Sequence, residues 1–311
     1  MASNSLGFNC AGLKTFKTRG NKMPSVLAPL IDTETLAGLI GAPDVRIFDC
    51  TMHLAPLPDN SGQQVTSGHA DYLKGHIPGA AFIDLSQDLS DTASPHRFSA
   101  LGPEAFATAA GRLGIGDGVR VVLYDGGYNA WAARVWWMLK AYGFDNAQVL
   151  DGGLIKWRKE GRPLATETTT YPAAKFTAKP RAGFFADKAR VAGAIGASDV
   201  RIVNALTSEQ HAGKGGVHYG RAGRIPGSCN VASRGIVDPD TNALLPLPEL
   251  RRRFGDAGLL GGERVIAYCG GGIAASLTAL ALAALGKDDV EVYIHSLQEW
   301  ANDPAMPMEV G

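Results

Sequence analysis

Cys269 is followed directly by Gly270, Gly271 and Gly272, and the four residues stand between the β-branched run RVIAY (264–268) and an alanine-rich stretch, AASLTALALAALG (274–286). Three adjacent glycines cost backbone entropy and contribute no side-chain packing, so core formation does not explain them. Something at this point requires bare backbone. A cysteine between a strand and a helix faces the helix N-terminus, where unpaired N–H groups and the helix dipole favour an anion. Glycines let successive amides turn toward one centre and form a nest for negative charge. The chemistry predicted here is that of a nucleophilic sulfur, Cys269, cradled by the backbone of Gly270, Gly271, Gly272, Ile273, Ala274 and Ala275.

Three anion-handling chemistries compete for such a loop. A cysteine phosphatase needs an arginine about six residues after the cysteine to hold phosphate bidentately; position 275 is alanine. A dinucleotide site fits the letters better, because Gly270, Gly272 and Ala275 match G-x-G-x-x-A and Glu291 follows about twenty residues later. That motif, however, opens the first βαβ unit of its domain, and this one comes late. A thiolate that accepts sulfur and passes it on fits best.

Composition narrows the classes further. Lys plus Arg and Asp plus Glu are 30 each in 311 residues, and no long basic block offers a nucleic acid its electrostatic footprint. No apolar run reaches the roughly 18 residues of a membrane span. The four cysteines, Cys10, Cys50, Cys229 and Cys269, show neither C-x-x-C nor the Cys/His spacing of a zinc site. So few in a chain this long do not make a disulfide framework, which points to a reducing compartment such as the cytoplasm. Residues 1–22 carry Lys14, Lys17, Arg19 and Lys22 and no acid; read as a transit segment instead of a plain extension, they would send the protein to the mitochondrion. Oligomeric state is not legible.

The elements that must position Cys269 come as a duplicated set. IGAPDVRI (40–47) returns as IGASDVRI (195–202), HIPGAAF (76–82) is answered by RIPGSCN (224–230), VVLYDGG (121–127) by VIAYCGG (265–271), and Trp157 by Trp300. Landmarks in one order with slowly shrinking offsets indicate one domain repeated, not a solenoid. The expected division is an extension over 1–23, a first domain over 24–160, a Thr-, Pro- and Ala-rich linker over 161–183 and a second domain over 184–311. Within each copy β-branched runs alternate with helical stretches, which predicts an α/β fold with a mainly parallel sheet flanked by helices. Ligands of such sheets bind beyond the carboxyl ends of the strands, where Cys269 sits. In the first copy the matching residue is Asp125, so only the second copy can run cysteine chemistry.

With these residues assembled, the chain resembles the tandem rhodanese family of thiosulfate and 3-mercaptopyruvate sulfurtransferases. The likeness rests on GHIPGA (75–80), GRIPGS (223–228), RVWWMLKAYG (134–143), VLDGGLIKW (149–157) and YCGGGIAA (268–275). It implies two rhodanese-like domains, an inactive first and a catalytic second, with the site in the cleft between them. It also implies double displacement: Cys269 takes a sulfane sulfur as a persulfide, and cyanide, a small thiol or a protein thiol removes it. No metal or organic cofactor is implied. The alternative is a persulfide carrier with little turnover of small donors.

On the donor the resemblance divides. Thiosulfate-type loops resemble C-R-K-G-V-T, whereas Gly270 and Gly271 here carry no charge; mercaptopyruvate-type loops resemble C-G-S-G-V-T, with Gly271 in place of the serine. Mercaptopyruvate enzymes also carry a D-S-R-x-x-G-R pattern, where this chain offers Leu206 and Gln210. By the same resemblance Asp84 and His96 match an acid and a histidine of a relay, His96 being otherwise a surface loop histidine. Arg221 and Arg224, with Arg234 further on, are candidates for the missing positive charge. Arg134 reads as a partner in an ion pair or as a stem packed on Trp136 and Trp137, themselves core or interface anchors.

Overall fold

The computed structural model describes residues 27–59 and 62–311; the proposed extension and Cys10 lie outside them. In chain order the strands of the first repeat are β1 (Leu30–Ile31), β2 (Val45–Asp49), β3 (Met52–Pro56), β4 (Gln63–Ser67), β5 (Ala80–Phe82), β6 (Arg120–Tyr124) and β7 (Ala147–Leu150). Those of the second are β8 (Phe185–Ala186), β9 (Val200–Asn204), β10 (Cys229–Asn230), β11 (Arg264–Tyr268) and β12 (Val290–Tyr293). The first sheet runs β1-β7-β6-β2-β5 and the second β8-β12-β11-β9-β10, every pair parallel. The repeat read from the letters is therefore a repeat of topology.

Register carries the equivalence to single residues. Asp49 pairs with Tyr124 in the first sheet and Asn204 with Tyr268 in the second. The last four residues of β6 and of β11 are all buried, as expected of parallel strands covered on both faces. Each central strand then leads into a twelve-residue helix, Ala130–Ala141 or Ile273–Ala284. The first is buried at every position except Lys140, and the second from Ile273 to Leu282. A helix apolar all round must be covered all round. The two helices cover each other across the domain boundary, and one hydrophobic cluster spans both domains.

The segment 161–183 forms no helix or strand, yet it is bound along the first domain. Ala165 bridges His76, Tyr171 donates to the Gly79 carbonyl at 2.6 Å and accepts from the Ile47 amide at 2.9 Å, and Ala174 donates to Gly111. Its Thr and Pro content removes periodicity but leaves backbone groups that must be paired. Five strands are absent from the sequence reading: the two-residue strands β1, β8 and β10, and the hairpin pair β3 and β4. The hairpin is half exposed and lacks a buried alternation, so only the PDNSG turn (58–62) marked it.

Candidate active site

Cys269 closes β11, is 2 % exposed, and borders a cavity of about 610 Å³ between the two domains. Its sulfur accepts the Gly272 amide at 3.1 Å, while its own amide donates to Ser296 Oγ at 3.0 Å. The Leu297 and Gln298 amides donate to the carbonyls of Cys269 and Gly270 at 3.1 and 2.9 Å. The thiol is thus fixed by the turn after β12 as well as by its own loop.

Each of the three glycines answers to a separate neighbour. A Cβ on Gly270 would run into the Tyr219 ring, one on Gly271 would come within 3.3 Å of Gln298 Nε2, and one on Gly272 would lie 2.5 Å from the Ile294 carbonyl oxygen. Gly272 also caps the following helix at φ +80°, a conformation natural to glycine. Tyr219, lying on the loop, donates its hydroxyl to Gln63 Oε1 of β4 at 3.0 Å. The hairpin that the sequence concealed therefore forms a wall of the cleft, and burial pushes the Tyr219 hydroxyl well up, reinforced by nearby Cys269.

The first repeat shows what the loop is built to hold. Asp125 Oδ1 accepts the amides of Gly127 at 2.8 Å and Asn129 at 3.1 Å, and Oδ2 those of Trp131 and Ala132 at 3.0 Å each. A carboxylate sits where the second repeat has sulfur. The first loop also runs one residue longer between its strand and its helix cap, Asn129, which takes φ 67°. It extends Tyr128 into the wall of the second-domain cavity, where burial raises the phenol and the Arg234 guanidinium lies 4.2 Å from the ring centroid.

The other expected site residues divide. Ile273 and Ala274 line the cavity, whereas Ala275 is fully buried behind it. Asp84 does not reach the loop: it caps the short helix Leu85–Asp88, accepting from the Ser86 and Gln87 amides. The His96 ring lies 4.7 Å from that of His295, tilted by 38°, and His295 bonds Ser99 Oγ at 2.9 Å and pairs with Glu299 at 3.4 Å. Arg221 and Arg224 are not cavity cations. Arg221 donates to the carbonyls of Ala301, Asp303 and Met306, and Arg224 pairs with Glu309, so both tie down the chain end. Their place just before IPG suggested the site, but in the fold that turn faces the C-terminal segment. Glu291, the acid of the dinucleotide alternative, is held by Arg190 and Arg264.

Arg134 also departs from expectation. It is fully buried on the helix Ala130–Ala141, makes no ion pair among the described residues, donates to the Phe98 carbonyl at 2.7 Å and lies 5.7 Å from the Phe185 ring centroid. Its Nε and Nη1 have no partner among the described residues. Burial lowers it to about 10, and the nearby Cys269, if charged, opposes that shift. Sequence reasoning missed the unpaired burial of Arg134, as it missed the cavity-lining Tyr219, Tyr128, Arg97 and Gln298, because these places are set only by contacts between distant segments.

A model of the rhodanese-like domain matches this chain twice, over residues 32–160 and 188–303. The chain belongs to the rhodanese family. Among full-length relatives, the Escherichia coli 3-mercaptopyruvate sulfurtransferase is 31% identical over 287 residues, covering 90% of this chain and 97% of its own. Mycobacterium tuberculosis SseB, provisionally named a thiosulfate sulfurtransferase, is 35% identical over 290 residues, covering 91% and 97%. The crystal structure of SseA from Escherichia coli, described as a 3-mercaptopyruvate sulfotransferase with the rhodanese fold, superposes with a TM-score of 0.76 at 29% identity over 87% of this chain and 99% of that one. Two parallel sheets of one strand order, each with its loop at the end of the central strand, are thus two rhodanese domains.

Proposed function

We propose that this rhodanese-type sulfurtransferase moves a sulfane sulfur from 3-mercaptopyruvate or thiosulfate to a thiophilic acceptor through a persulfide on Cys269. The thiolate attacks the outer sulfur of the donor; an S–S bond forms on Cys269 while the donor's own S–S or C–S bond breaks. Thiosulfate leaves as sulfite. 3-Mercaptopyruvate leaves as pyruvate, its thiol proton ending on the carbon that carried sulfur. Cyanide or a thiol then attacks the terminal sulfur and restores the thiolate.

The observation that carries this reading is the amide at 3.1 Å from the Cys269 sulfur, in a loop whose first-domain counterpart holds a carboxylate with four amides. A persulfide ends in an anionic sulfur, and preorganised amides stabilise it without reorganising. Gly270 to Ala275 form its cradle. Asp84, Arg221 and Arg224 are left to structural roles and His96 to the domain contact. Cys50, Cys229 and Cys269 are all unpaired, which supports a reducing compartment, the cytoplasm, with small or protein thiols as acceptors. Steady-state transfer to cyanide with each donor, read together with the mass of the Cys269 peptide, tests the proposal. Turnover with a gain of one sulfur on Cys269 is expected; turnover retained in Cys269→Ser would overturn it.

A further inference from the structure

We infer that Arg97 and Arg234, one from each domain, form the subsite for the acid group of the sulfur donor. The inference rests on the persulfide reading of Cys269 and assigns the donor's charge a place. Leu206 and Gln210, at the positions where mercaptopyruvate enzymes carry arginines by resemblance, do border the cavity. Neither brings charge, and the Gln210 side chain is already engaged, donating to the Val217 carbonyl at 2.9 Å and accepting from the Thr207 amide at 3.3 Å. The loop 270–275 has no cation either. An anionic donor must therefore find its counter-charge elsewhere.

Among the described residues lining the cavity, Arg97 and Arg234 are the only arginines, no lysine is present, and no aspartate or glutamate offsets them. Both are exposed and neither is in an ion pair with a described carboxylate. Their positions are nonetheless set. Arg97 donates through Nη1 to the Gln63 carbonyl, and its backbone exchanges two bonds with the Gln298 side chain at 3.2 and 3.0 Å. Arg234 lies on the Tyr128 ring at 4.2 Å. Both line the cavity that Cys269 borders, Arg97 from the first domain beside Tyr219 and Gln298 and Arg234 from the second beside Tyr128. A guanidinium fork suits a carboxylate or a sulfonate-like group.

The test uses the full chain, Arg97→Gln, Arg234→Gln and the double variant, with melting temperature as the control for folding. Loss of one charge-assisted contact to substrate should raise KM for thiosulfate and 3-mercaptopyruvate by roughly 10- to 100-fold, with kcat changed by less than about threefold. A second readout does not depend on sulfur transfer: the rates at which iodoacetate and its neutral analogue iodoacetamide alkylate Cys269, followed by mass. The subsite predicts that the iodoacetate-to-iodoacetamide ratio falls about tenfold in the double variant while the iodoacetamide rate stays within about threefold. KM unchanged within twofold, or an unchanged alkylation ratio, would overturn it. If no persulfide forms with either donor in the unmodified protein, the functional reading fails, and the alkylation ratio alone decides the subsite.

Discussion

In the first repeat the central strand is followed by Asp125, whose carboxylate takes four amides and is fully buried; in the second it is followed by Cys269, whose sulfur takes one amide and borders the cleft. The neighbouring strand sharpens the contrast. Asp49 and Asn204 hold one register position, so the first loop lies over a second carboxyl and the other over a neutral amide that accepts from Leu206 at 2.7 Å. Burial raises Asp49 to about 6, and Asp125 adds to the rise. The same backbone can thus hold a resident carboxyl group, its pKa raised by burial, or keep a place for an anion that comes and goes. The difference lies in access and in the charge beneath the loop.

The largest effect should come from Cys269→Ser, which removes the sulfur and keeps the volume. Turnover should fall on the order of a thousandfold or more, with melting unchanged within a few degrees. Its mirror, Asp125→Ala, should leave the chemistry and damage the fold. Four buried amides lose their acceptor, a cost of about 3–5 kcal/mol that calorimetry should record as a drop of roughly 10 °C in Tm. Asp125→Cys places a thiol in the first cradle; fully buried there, that thiol should gain no sulfur from either donor.

Glycine variants separate the loops next. Gly270→Ala drives a methyl into the Tyr219 ring and should lower kcat/KM by about tenfold to a hundredfold through loss of the Tyr219–Gln63 contact. Gly126→Ala meets Thr51 Oγ1 only at 3.4 Å and should cost less than about 1 kcal/mol. A pH effect of comparable size comes from Asp49. Because burial raises its folded pKa above 3.8, the folded state binds the proton more tightly, and stability falls as pH rises from about 4 to 6. Asp49→Asn should flatten that slope, recovering about 3 kcal/mol at pH 7 in denaturant titrations. The smallest change belongs to Asp84→Asn, which keeps the helix cap and should alter kcat/KM by less than about threefold.

The letters gave up most where chemistry and backbone share one short stretch. Cys269 with its glycines, the paired IPG turns and the duplicated β-branched runs were all legible, because each is a local pattern with a local physical cause. What escaped is the surrounding wall. Tyr219 covers Gly270 from about fifty residues away, Arg134 lies buried between the Phe98 carbonyl and the Phe185 ring of the other domain, and the hairpin β3–β4 is too exposed to show a strand period. Arg221 and Arg224 misled because adjacency to a motif in sequence does not fix the direction of a side chain. Both point to the chain end that folds back upon them.

The most direct measurement is the mass of the peptides containing Cys269 and Asp125 after exposure of the full chain to thiosulfate or 3-mercaptopyruvate, and again after cyanide. One added sulfur on Cys269 that cyanide removes, with the Asp125 peptide unchanged, is the predicted result. Catalytic sulfur transfer with no sulfur on Cys269, or undiminished transfer in Cys269→Ser, would contradict it.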